Sequence, residues 1–96
     1  MLISFLKNNN GYLVYITASK RKKTFIGIAY EMNCFRIEIT KEFSRLVYFE
    51  KFSDRSKAKN RKKYLEKRNY DKIKKLVSKR NPDWLDLILT LTEVKS

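Results

Sequence analysis

"KKTFIGIAYEMNCFRIEI", Lys22 to Ile39, is the stretch on which the reading of the fold turns. Its first half, "TFIGIA" (Thr24 to Ala29), is a short run of β-branched, aromatic and small residues, the composition of a strand. Gly27 interrupts it. A glycine inside a strand gives up packing and backbone entropy, so it marks a close backbone approach or a bulge. The second half reads two ways. "CFRIEIT" alternates apolar and polar residues as a strand does, while "YEMNCFRIEI" also fits a helix with Met32, Phe35 and Ile39 turned inward. The reading adopted is a short or irregular helix within residues 30–43.

Working outward, "YLVYIT" (Tyr12 to Thr17) is a second strand of the same composition. The polar "ASKRKK" between the two suits an antiparallel hairpin with a loose basic tip. Past the ambiguous piece, "RLVYFEKF" (Arg45 to Phe52) gives a third strand. The period then changes, and helix formers run without glycine or proline to Pro82. Ser53 or Asp54 can cap a first helix. Its apolar face is thin, made of Ala58 and Leu65 with Tyr64 beside them. Tyr70, Ile73, Leu76 and Val77 form a fuller stripe for a second helix. "NPDWLDLILTL" reads as a third, with Asn81 as cap, Pro82 in the first turn and Asp83 near the positive end of the dipole. Trp84, Leu87, Ile88 and Leu91 then dock on the sheet, with Trp84 in the core. The expected fold is α+β: one domain over residues 1–96, a small three-stranded, largely antiparallel sheet flanked by helices.

The chain has 96 residues, of which 43% are apolar and 14% aromatic, enough for a small core. The net charge of +13 is its loudest feature. Such a surplus repels itself in a compact body, and polyanions relieve it. Nucleic acid is the expected partner, because each neutralised phosphate also releases counterions. There is no histidine and a single cysteine, Cys34, which excludes an internal disulfide, zinc clusters and histidine-based catalysis. A lone thiol of this kind is usually a small buried hydrophobe and fits the reducing cytoplasm. "MLISFLKNNN" carries too short an apolar run for a signal peptide or a membrane span, so no membrane partner is expected. Oligomeric state is not readable.

The charge is concentrated. Residues 51–80 hold 14 Lys and Arg against three acids, so 11 of the 13 net charges fall in under a third of the chain. Lys57, Lys59, Arg61, Lys62 and Lys63 crowd two helical turns, and Lys67 and Arg68 follow. Like-charged neighbours there repel by a few tenths of a kcal/mol per pair. A phosphate partner turns that cost into binding. Lys20, Arg21, Lys22 and Lys23 at the hairpin tip form a second basic patch. Tyr12, Tyr30 and Tyr64 are candidates for stacking on exposed bases, although burial statistics favour core or rim positions.

The order of elements, with "LVY" (Leu13, Val14, Tyr15), "FIG" (Phe25, Ile26, Gly27), "LVYFEKF", "DRSKA" and "NPDWLDL", resembles the GIY-YIG endonuclease superfamily. The likeness runs over roughly residues 12–87. The nearest group is the small stand-alone proteins related to the nuclease domain of the excision-repair incision enzyme. The resemblance implies hydrolysis of a DNA phosphodiester with one divalent metal, magnesium or manganese. It also implies two motif tyrosines, an arginine that stabilises charge on the phosphate, and a glutamate that holds the metal.

Carried over residue by residue, the match is incomplete. Tyr15 stands at the first tyrosine and Gly27 at the motif glycine. Phe25 stands at the second tyrosine and lacks its hydroxyl. Phe35 falls at the arginine, with Arg36 beside it; one residue along a helix turns a side chain by about 100°. The family's later histidine falls at Ile39, and its metal-binding glutamate falls at Lys62, reversing the charge. Between the catalytic helix of the family and "LVYFE" only "TKEFSR" remains of a longer loop. The implied protein binds DNA, in preference to RNA, through a basic helical face with vestigial chemistry and no cofactor. One alternative is an active metal-dependent endonuclease using Tyr15, Arg36 and Glu66, which lies one turn after Lys62. Another is a basic RNA- or protein-binding module.

Overall fold

A computed structural model describes residues 2–6, 11–30 and 34–88, with the side chains of 11–29 and 37–88. Alternation in "YLVYITA" sets the architecture. Tyr12–Ala18 forms strand β2, following β1 at Leu2–Leu6. Because successive side chains point to opposite faces, Leu13, Tyr15 and Thr17 face one way and Val14, Ile16 and Ala18 the other. All six are buried. A strand buried on both faces must sit centrally, and β2 lies between β3 (Thr24–Tyr30) and β5 (Arg45–Phe52), antiparallel to both. The expected three-stranded α+β arrangement is therefore the observed one.

The β2–β5 register shifts by one between Ile16 and Thr17, leaving Val47 as the extra residue of β5. Such a bulge turns two neighbouring side chains toward one side. Val47 and Tyr48 accordingly both join the helix-side core with Val14, Ile16, Ala58, Leu65, Ile73, Val77 and Trp84.

Helices α1 (Arg55–Glu66) and α2 (Tyr70–Arg80) cover that face. Asp54 caps α1, its carboxylate accepting from the main-chain N–H of Ser56 at 2.7 Å and Lys57 at 3.3 Å. Asn69 caps α2, accepting from Lys72 N–H at 3.0 Å. The thin α1 stripe is as read: Ala58 and Leu65 are buried, while Tyr64 is exposed. On α2, Ile73 and Val77 are buried, Leu76 is half-buried and Tyr70 is exposed. No described helix is long and apolar enough to cross a membrane.

Two expectations are corrected. The helix expected within residues 30–43 is instead strand β4 at Cys34–Glu38, antiparallel to β1, with Ile37 opposite Ile3 and Arg36 opposite Ser4. The alternation prevails because Leu2–Leu6 supplies a pairing partner. Ile37 and Ile39 pack with Leu13, Tyr15, Ala29 and Leu46, giving the sheet a second core on the face away from the helices. The inward placement of Met32 and Phe35 and the burial of Cys34 concern side chains outside those described.

The helix expected from Asn81 does not begin there. Trp84 N–H bonds Asn81 C=O at 2.9 Å, closing a turn over Pro82 and Asp83, and Trp84 has φ of 52°. Proline followed by aspartate suits such a turn as well as a helix start. Asn81 and Asp86 spend their side chains on main-chain partners, as residues of this type do in competition with helix formation. Asn81 donates to Val47 C=O at 3.1 Å and to Leu85 C=O at 2.9 Å, and accepts from Leu85 N–H at 3.0 Å. Asp86 accepts from Leu46 N–H at 3.2 Å, and Leu87 N–H donates to Leu46 C=O at 2.7 Å. Residues 81–88 thus run along the outer edge of β5. Trp84 enters the helix-side core, and Leu87 and Ile88 pack against the opposite one. Leu91 lies outside the described residues.

Candidate functional site

Tyr15 stands centrally on the face away from the helices, opposite Gly27 in the β2–β3 register. Its ring lies directly over that glycine: a Cβ at Gly27 meets Cζ and Oη of Tyr15 at 2.4 Å. The glycine exists to admit the ring. Tyr15 is 4% exposed and packed among Leu13, Ala29, Ile37, Ile39 and Leu46. Its hydroxyl accepts a long hydrogen bond, 3.4 Å, from Glu38 N–H. Burial pushes the phenol above its ordinary value; the Glu38 N–H opposes this, the Glu38 charge adds to it, and the positive charge of Lys62 opposes it. A phenol held neutral behind aliphatic side chains is poorly placed to take a proton from water.

The other candidates distribute as follows. Phe25, at the start of β3, is 43% exposed and tilted against Phe43, ring centroids 6.2 Å apart. Arg36 lies on β4, and its side chain is outside those described. Lys62 on α1 pairs with Glu66 at 2.9 Å, so the carboxylate considered as a substitute metal ligand already holds an ammonium. Among the described residues no group of three or more His, Cys, Asp and Glu is arranged to hold a metal ion.

A second constellation, unread in the sequence, occupies the helix side of β5. Arg61 on α1 donates through Nε and Nη2 to the two oxygens of Glu50, each at 2.9 Å. The Tyr48 hydroxyl donates to the same carboxylate, and the Arg80 guanidinium stands 5.5 Å from the Tyr48 ring centroid. Burial pushes the Glu50 carboxyl up, but the Arg61 fork, the Tyr48 hydroxyl and the charges of Arg61 and Arg80 outweigh it and hold it below the usual range. Tyrosine, arginine and glutamate meet here, yet the guanidinium fills the carboxylate bidentately. The unit joins α1 to β5, with α2 reaching it through Arg80. Its only sequence signal is the even spacing of Tyr48 and Glu50, which puts both on one strand face.

The basic residues divide into engaged and available. Arg61 is committed to Glu50. Arg68 stacks on Tyr64 at 4.5 Å and Arg61 at 5.2 Å, so Tyr64 is flanked by guanidinium groups. Lys57, Lys59, Lys63 and Lys67 are exposed and have no side-chain partner among the described residues. The hairpin tip is tighter than the loose turn expected: Ser19 N–H bonds Lys23 C=O at 2.9 Å, and the Ser19 hydroxyl accepts from Arg21 N–H at 3.2 Å and Lys23 N–H at 3.0 Å. Lys22, with φ of 64°, turns its ammonium over Trp84, 5.3 Å from the ring centroid. Arg45 ties the tip to the edge segment, donating to Ser19 C=O at 3.0 Å and Trp84 C=O at 3.4 Å. Lys20, Arg21 and Lys23 are left exposed at the tip. Of the stacking candidates, Tyr12 packs against the helix-side core, Tyr64 is exposed, and the Tyr30 side chain lies outside those described.

No protein-family model, curated protein or solved structure matches the chain.

Proposed function

We propose that the protein binds DNA through phosphate contacts and does not cut it, as a degenerate relative of the GIY-YIG nucleases. One observation carries the reading: α1 buries only Ala58 and Leu65, while Lys57, Lys59, Lys63 and Lys67 stand exposed and unpaired among the described residues. A helix so poor in apolar contacts and so rich in cations gains from a polyanion what it lacks in packing. Ammonium groups act as point charges, so binding discriminates little between sequences. The inert-scaffold half of the reading is supported by the burial of Tyr15, the missing hydroxyl at Phe25 and the Lys62–Glu66 pair. The lone thiol suits a reducing cytoplasm as the setting.

The test is fluorescence anisotropy with a duplex oligonucleotide across a salt series, run beside a cleavage assay with magnesium and manganese. Replacing Lys57, Lys59, Lys63 and Lys67 by Gln should flatten the slope of log affinity against log salt by about 3 to 4, at about 0.9 per phosphate contact. At 0.1 M salt the affinity then falls roughly a thousandfold. A salt-independent affinity overturns the reading. Metal-dependent cleavage abolished by Tyr15→Phe overturns its second half, and tighter binding of structured RNA overturns the choice of DNA.

A further inference from the structure

Two adjoining clefts lie at the end of the sheet where the hairpin tip meets the turn at residues 40–43. The first, about 450 Å³, has Thr17 at its floor and Phe25 and Phe43 on its walls. Its remaining lining is polar: Glu38, Thr40, Lys41 and Glu42. The second, about 420 Å³, is lined by Ser19, Lys20, Arg21 and Lys23 and shares Lys41 and Glu42 with the first. The clefts adjoin at this shared pair and together form a groove, aromatic at one end and mainly cationic at the other.

We propose that this groove receives one unpaired nucleotide of a DNA strand, the base in the aromatic cleft and its phosphate on the cations of the tip. The inference rests on the DNA-binding reading above and names the feature of DNA that is recognised. Four observations carry it. Phe25 is 43% exposed, an unusual position for so apolar a ring, and offers a face on which any base can stack. Thr17 is fully buried, and its hydroxyl has no hydrogen-bond partner. Its Oγ1 lies beneath the cleft surface, and a base edge reaches it only when the lining side chains part; the hydroxyl then donates or accepts as that edge requires. The turn carrying Phe43 is braced, Thr40 Oγ1 accepting from Phe43 N–H at 2.9 Å and Phe43 C=O accepting from Thr40 N–H at 3.2 Å, so that wall is preformed.

The distribution of charge is the fourth observation and fixes the orientation. Glu38 and Glu42 border the aromatic cleft. Carboxylates repel a phosphate but accept from the exocyclic amino group of cytosine. Lys20, Arg21, Lys23 and Lys41 stand where the backbone leaves the cleft. Base inward and phosphate outward sets the phosphate beside the larger number of cations and the base beside Glu38, which lines the aromatic cleft alone, while Lys41 and Glu42 border both. It also predicts a preference for cytidine over thymidine, which lacks that amino group.

The experiment compares four probes with the full chain by anisotropy at one salt concentration: a paired duplex, the same duplex with a single bulged cytidine, with a bulged thymidine, and with a bulged abasic residue. Stacking of one base predicts about tenfold tighter binding of the cytidine bulge than of the paired duplex. The abasic bulge loses that gain, and the thymidine bulge loses part of it. Phe25→Ala brings the cytidine-to-abasic ratio toward one, and Thr17→Val, which keeps the volume and removes the hydroxyl, lowers it. Equal binding of the cytidine and abasic bulges overturns the inference while leaving the DNA-binding reading intact. Failure of all four probes to bind overturns that reading itself. A bulged RNA bound more tightly than the bulged DNA overturns the assignment to DNA.

Discussion

The two faces of the sheet each hold a buried tyrosine, and the two tyrosines are used in opposite ways. Tyr15 lies flat over Gly27 in an aliphatic box, with one long hydrogen bond to its hydroxyl. Tyr48 is equally buried but is wired into Glu50, Arg61 and Arg80. By resemblance, chemistry belongs at the first; by composition, tyrosine with a guanidinium and a carboxylate, it belongs at the second. Neither holds the requirements together. Tyr15 has position but no hydrogen bond to a charged side chain, whereas the Tyr48 cluster has charged groups that neutralise one another. Residue types alone do not make an active site: the carboxylate must be left free and the phenol must be reachable.

The contrast can be broken most forcefully at Gly27. Gly27→Ala drives a methyl group into the Tyr15 ring, and since the ring is walled in, the cost should be about 1–3 kcal/mol in a urea titration. Tyr15→Val is itself destabilising because it leaves a cavity, but in that background Gly27→Ala should cost much less, the signature of two sites coupled through one contact. If the single variant is as stable as the parent, the ring is free to move and the description of that face is wrong.

The charged face responds next. Glu50→Gln leaves Arg61 without its counter-charge in a largely shielded place and should cost about 1–2 kcal/mol. Its pH signature has a definite sign. The folded carboxyl is held below its unfolded value of about 4.3, so the stabilisation is complete above that pH and is lost as pH falls through the folded value. Between pH 5 and 3 the parent should therefore lose more stability than Glu50→Gln. Parallel curves would sever the Glu50–Arg61 contact from the stability of the fold.

The smallest effect sharpens the same comparison. Tyr15→Phe removes only the 3.4 Å hydrogen bond and should cost at most about 0.5 kcal/mol. Burial raises the folded phenol above its unfolded value, so its share of stability is complete below about pH 10 and fades as pH climbs through the folded value. Alkaline absorbance titration should show that Tyr15→Phe removes a late-ionising phenol.

The sequence was most readable where information is local. Alternation located Tyr12–Ala18, Thr24–Tyr30 and Arg45–Phe52, and the spacing of Ala58, Leu65, Ile73 and Val77 located the helical faces. It failed where a distant partner chose between two local options. "CFRIE" becomes a strand only because Leu2–Leu6 pairs with it. "NPDWLDL" satisfies the rules for a helix start and for a turn alike, and the main-chain groups of Leu46 and Val47 choose the turn. Gly27 was legible as a close approach or a bulge, and the Tyr15 ring overhead, which no local pattern names, makes it the former. The Lys62–Glu66 pair follows from helical spacing, whereas Glu50 and Arg61 meet across a strand and a helix, a contact no local pattern encodes.

The path of residues 81–88 has a consequence for self-assembly. Sheets polymerise when one chain's free margin templates another, and the margin of β5 at Leu46 and Val47 is already saturated from within by Asn81, Asp86 and Leu87. Had that stretch coiled into a helix starting at Asn81, those groups would invite a neighbouring molecule to add a strand. At Leu46 and Val47 the chain itself occupies the place an added strand would take.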